Sequence, residues 1–64
     1  MRFYHLSNLH GEQVAIATDD RGIIIEGSAN VLPYIGHSLS SYMKKRFVFD
    51  KICVIDERTY EELR

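Results

Sequence analysis

The hydrophobic pattern of this chain changes period near residue 28, and that change limits the fold more than any single motif does. Up to Gly27 apolar residues mostly alternate with others, whereas Val31, Ile35, Leu39 and Met43 recur every fourth position. Alternation places side chains on the two faces of a strand, and a four-residue recurrence draws one stripe along a helix. A chain that does both within 64 residues, with no repeat, linker or low-complexity stretch, reads as a single α+β domain spanning 1–64.

The alternation resolves into a meander. In the first run Phe3 and His5 point one way, and Arg2, Tyr4 and Leu6 the other. Ser7 to Gly11 is rich in turn formers. In the second run Val14, Ile16 and Thr18 share one face, and Gln13, Ala15 and Ala17 the other. Asp19-Asp20-Arg21-Gly22 predicts a tight hairpin, because Gly22 accepts the left-handed conformation a short loop requires. Ile23-Ile24-Ile25 is β-branched throughout and supplies a third strand.

The helical stripe predicts one main helix over 31–45, with Leu32 and Tyr42 beside its axis of apolar residues. Ser28 or Asn30 is placed to cap it, and Pro33 falls near its first turn, where a missing N–H matters least. Gly36 sits inside the pattern and kinks the helix or splits it in two. Lys44, Lys45 and Arg46 close it against the negative end of the dipole. Strand character returns from Phe47 to Ile55, with a phase slip at Asp50-Lys51 from a bulge or from a strand that starts at Lys51. Asp56 then caps a short last helix, with Tyr60 and Leu63 on its inner side.

The expected fold is a small antiparallel meander of β-β-β-α-β-α order. Its main helix packs on one sheet face, and the C-terminal helix completes the cover. The expected core is Phe3, Val14, Ile16, Ile23, Ile25, Leu32, Ile35, Leu39, Tyr42, Ile52, Val54, Tyr60 and Leu63. A one-residue error in register exchanges the faces of a whole strand.

A domain this small is marginal alone. Its apolar burial stabilises by about 100 kcal/mol at about 25 cal/mol per Å², and ordering its residues costs about as much. The single cysteine, Cys53, excludes a disulfide within the chain and suggests a cytoplasmic setting. No apolar run is long enough to cross a membrane. A second subunit is the remaining way to add burial, and the charge pattern says where. Residues 1–26, 44–51 and 52–64 carry −2, +3 and −2, but residues 27–43 contain no Asp, Glu, Lys or Arg. A charge-free outer face is the compositional mark of an interface core. Pro33, Gly36, His37, Ser40 and Ser41 are therefore the expected oligomer interface or intersubunit ligand pocket, in a homodimer or tetramer.

Chemistry is sparse. His5, His10, His37 and Cys53 match no zinc spacing, so neither a metal nor another cofactor is expected. Gly36-His37-Ser38-Leu39-Ser40 begins like a nucleophile elbow, but it lacks the closing Gly and follows helical pattern instead of a strand. No Walker or dinucleotide glycine pattern is present. An enzyme is not expected.

Tyr42, Lys44, Lys45, Arg46 and Lys51, with the nearby Phe residues, form a basic and aromatic stretch of the kind that meets phosphates and stacks on bases. Against it stands the acidic total, a net charge of −1. The expectation is a non-catalytic, homo-oligomeric regulator or inhibitor that binds another protein. Accessory proteins of bacteria and phages have this character. A small nucleotide-like ligand held between subunits, or a nucleic-acid contact, is the alternative.

Overall fold

In the computed structural model, residues 1–45 and 49–64 are described. Four strands, β1 (Arg2–Ser7), β2 (Gln13–Thr18), β3 (Ile24–Gly27) and β4 (Lys51–Ile55), form an antiparallel sheet in the order β3-β2-β1-β4. A 3-10 helix (Ala29–Tyr34) and α1 (Leu39–Lys45) lie between β3 and β4, and α2 (Glu57–Leu63) follows β4. The fold is α+β in the expected order.

Both faces of β2 are buried from Val14 to Thr18. Register explains how. Leu6 lies opposite Val14 and Tyr4 opposite Ile16, so these residues share one face. That face holds the main core of Leu6, Val14, Ile16, Ile24, Val31 and Tyr42, with Tyr34, Leu39, Met43 and Phe49 packed against it. The other face holds Ala15, Ala17 and Tyr60, flanked by Phe3 and Ile55. Alanines on this side let α2 come close, and the rings of Phe3 and Tyr60 meet at 4.9 Å. The Tyr60 hydroxyl donates to Glu26, whose carboxylate also meets the Arg64 guanidinium. Burial, with the Glu61 charge nearby, pushes the Tyr60 hydroxyl pKa up. The sheet is thus covered on both faces, with α2 completing the cover on the face opposite the main core.

The main helix expected over 31–45 is split at Gly36, one of the two outcomes expected of that glycine, and the geometry of the first piece corrects the core. Gly36 takes φ +93, outside the helical region, and ends the first piece. The first piece has 3-10 geometry, in which residues three apart align. Val31 and Tyr34 therefore point to the core, while Leu32 and Ile35 point out, 52% and 47% exposed. A period of 3.6 had placed Leu32 and Ile35 inside. Ser28 does not cap this helix with its side chain; its Oγ accepts from the Ala15 N–H at 2.9 Å. Ser38 caps α1 instead, its Oγ accepting from the Ser41 N–H at 3.0 Å.

Gly27 sets how close the 3-10 helix comes to the sheet. A Cβ there would lie 2.8 Å from the Ala15 carbonyl oxygen and 2.8 Å from Val31 Cγ1.

Strand register accounts for the other corrections. Thr18 pairs with Ile24 and Ala17 with Glu26, so a bulge absorbs Ile25. Ile24 is buried, Ile25 is exposed and Ile23 half-buried. Phe3 belongs to the second face, and Leu6 takes its place in the main core. Ile52 and Val54 lie opposite Leu6 and Tyr4 on the main-core face, yet they are 43% and 80% exposed, because β4 lies at the outer end of the sheet. Leu63 is exposed as well. β4 begins at Lys51, the second of the two expected solutions to the phase slip. Phe47, inside the expected strand, lies outside the described residues.

The β2–β3 hairpin forms as the Asp-Asp-Arg-Gly turn predicts, with Gly22 at φ +84. The Asp19 carboxylate accepts from the N–H groups of Ile23 and Arg21, and these bonds hold its pKa below the ordinary carboxylate value. Asp56 caps α2 by accepting from the Thr59 N–H at 2.8 Å, and the Thr59 side chain together with this N–H holds its pKa below the ordinary carboxylate value.

Candidate functional site

Two surfaces stand out, one on the uncharged segment and one on the sheet edge. The first contains the five residues singled out by the charge pattern. Pro33 is in the 3-10 helix, Gly36 and His37 in the connection, and Ser40 and Ser41 in the first turn of α1; all five are exposed. Leu32 and Ile35, turned outward by the 3-10 geometry, add apolar area that the sequence had assigned to the core.

The backbone beneath this surface is fixed. The Ile24 N–H donates to the His37 carbonyl at 2.9 Å, and the Gly36 N–H donates to the Ile24 carbonyl at 2.9 Å. The Leu39 N–H donates to the Gly22 carbonyl, and Ser38 bridges to Ile23. The segment 36–39 thus behaves as a short extra strand along the outer side of β3. The Tyr34 ring meets His37 edge-on at 6.1 Å and the buried Tyr42 at 4.9 Å. An uncharged, partly apolar surface on such a backbone is suited to contact with another uncharged protein surface.

The second surface is β4. It is the terminal strand on the far side of the sheet. Its Ile52 and Val54 project from the main-core face beyond the cover of the helices, and Val54 is the more exposed at 80%. Sequence reasoning missed it, because alternation marks a strand but not its rank in the sheet. Only the pairing of β4 with β1, whose residues lie far earlier in the chain, as Ser7 does from Lys51, puts it at the edge.

The basic stretch does not present its aromatic member at the surface. Tyr42 is fully buried, so its ring is withdrawn from stacking on a base. Lys44 and Lys45 are exposed at the end of α1, Lys51 is exposed at the start of β4, and Arg46 lies outside the described residues.

His5 and Cys53 are cross-strand neighbours, while His10 and His37 lie in separate loops. His5 Nε2 is 2.9 Å from Gln13 Oε1, and His5 sits opposite Cys53 in the β1–β4 register. Among the described residues no group of three or more His, Cys, Asp or Glu side chains could hold a metal, and no enclosed pocket is present. Nor is any helix among them long and apolar enough to cross a membrane.

No protein-family model, curated protein or solved structure matches this chain.

Proposed function

We propose that this is a small non-catalytic binding protein of the cytoplasm that regulates or inhibits another protein by covering part of its surface. The observation that carries the reading is the charge-free segment of 27–43, with Leu32 and Ile35 exposed beside Pro33, Gly36, His37 and Ser40. Burying a charge without a partner is costly, so such a surface favours a partner patch that is itself uncharged and largely apolar. The backbone bonds that tie 36–39 to β3 hold the surface in one shape, which lowers the ordering cost of binding.

The test is affinity capture from lysate of the source organism with four baits: the wild type, Leu32→Glu, Ile35→Glu and Val54→Lys. A single protein retained in stoichiometric amount by the wild type and Val54→Lys, and lost with both Glu variants, is the expected result. Identical recovery with all four baits would remove the surface from the account.

A further inference from the structure

Among the described residues the outer edge of β4 meets no further strand; its sequence is self-complementary, and we infer that it pairs with β4 of a second copy to extend the sheet across a two-fold axis. This inference does not rest on the partner-binding surface proposed above, which lies along the other edge.

Geometry restricts the pairing to a few registers. In an antiparallel ladder, residues directly opposite one another lie on the same face of the sheet. A two-fold axis normal to the sheet keeps each face on its own side. The register must therefore centre on a residue and not between two. Centring on Cys53 pairs all five residues of β4, Lys51–Ile55, with their counterparts. Centring one residue away leaves one strand end facing residues outside β4.

The Cys53 register also matches side chains. Ile52 of each copy lies opposite Val54 of the other, so four apolar side chains form one row on the main-core face. Those are the residues left 43% and 80% exposed in the single chain. Lys51 is the only charged residue of the strand. Pairing sets it opposite Ile55 of the second copy, next to Asp56 and close to Glu57 at the start of that copy's α2. The positive end of each strand thus meets the acidic end of the other. The Asp56 and Asp50 carboxylates are engaged within their own chain, by the N–H groups of Thr59 and Leu9.

Sheet edges are usually guarded by central charges, proline or a bulge. Here Ile52-Cys53-Val54 carries none of these.

Interface size sets the strength. Five residues at about 3.4 Å each give an edge about 17 Å long, and across a sheet layer about 10 Å thick that is on the order of 170 Å² per copy, well short of the roughly 800 Å² per partner found in standard interfaces. The dimer is accordingly one that exchanges with monomer and dissociates on dilution.

Opposed Cα atoms in an antiparallel ladder are about 4.5–5.5 Å apart, within disulfide reach. The thiol at the centre of the pairing therefore reports it. Sedimentation of the protein across a hundredfold concentration range is combined with brief copper–phenanthroline oxidation in air, in which the two thiols form the S–S bond, their two electrons pass through copper to dioxygen, and their two protons leave with it as hydrogen peroxide. The expected result is a mass that rises from one chain to two, with a Cys53–Cys53 cross-linked dimer. Val54→Lys, at an exposed position, should remain folded and lose both.

Register is checked with Lys51→Cys in a Cys53→Ser background, which should not cross-link because position 51 faces position 55. Monomer at every concentration would overturn the inference. So would a dimer that survives Val54→Lys, or one that cross-links equally well through position 51. Leu32→Glu should leave the dimer intact while abolishing partner capture, so each proposal fails separately.

Discussion

β3 and β4 both end the sheet, yet among the described residues a further segment of the chain bonds along the outer side of β3, at Ile24, and none does along β4. Along β3 the segment 36–39 donates to and accepts from Gly22 and Ile24, and the 3-10 helix seats Val31 against the sheet beneath it. Along β4, among the described residues, the outer side meets no further strand, and Val54 projects past the helical cover. Ile24 on the first edge is fully buried and Ile52 on the second is 43% exposed. Unpaired strand edges template further pairing, so the difference separates a finished edge from one available to a second chain.

The sharpest way to break the comparison is to shorten the corresponding isoleucines. Ile24→Ala removes a fully buried side chain and should cost about 2–5 kcal/mol, whereas Ile52→Ala in dilute protein should cost about 1 kcal/mol or less. Denaturant titration measures both, and equal losses would mean the two edges are packed alike. Next in size is Gly27→Ala. The added Cβ would strike the Ala15 carbonyl and Val31 and should cost about 1–3 kcal/mol, read as a lower thermal midpoint. Gly36→Ala forces an L side chain to φ +93 and should cost about 1–2 kcal/mol, with amide exchange rising first at Ile24 and Leu39. An unchanged midpoint in either glycine variant would mean that the 28–39 cover is not held as described.

These effects also show what was legible in the sequence. The order of elements followed from the period change, the Gly22 turn and the Asp56 cap, all local signals. Val14, Ile16, Tyr42 and Tyr60 were placed in the core, because their strands or helices bury either face or a wide stripe. Leu32 and Ile35 were not, since a 3-10 turn and an α turn send the same residues to opposite sides. Ile23 and Ile25 were exchanged with Ile24 by one bulged position, and Leu6 was exchanged with Phe3 by the choice of face.

Ile52 and Val54 were assigned to the right kind of face but the wrong strand rank, which only long-range pairing decides. The candidate surface at Pro33, Gly36, His37, Ser40 and Ser41 was legible as missing charge. The open edge was not, because apolar alternation looks the same in a central strand and an outer one.

The smallest predicted effect is in acid. Asp19 at the β2–β3 turn and Asp56 after β4 have pKa values held below the ordinary carboxylate range, Asp19 chiefly by the Ile23 N–H and Asp56 by the Thr59 side chain and N–H. The stabilisation they give is complete above the unfolded value of about 3.9 and is lost as pH falls through their lower folded values. Asp19→Asn and Asp56→Asn should each flatten the fall in thermal midpoint below pH 4. A slope unchanged in both variants would show that neither carboxylate is bound as described.

The most direct measurement is residue-resolved amide hydrogen exchange at two protein concentrations, one dilute and one a hundredfold higher. The account predicts that Ile24 is protected equally at both, while the outward-facing amides of Lys51–Ile55 exchange freely when dilute and become protected when concentrated. Protection of β4 that is independent of concentration would contradict it, and so would amides that remain unprotected in the concentrated sample.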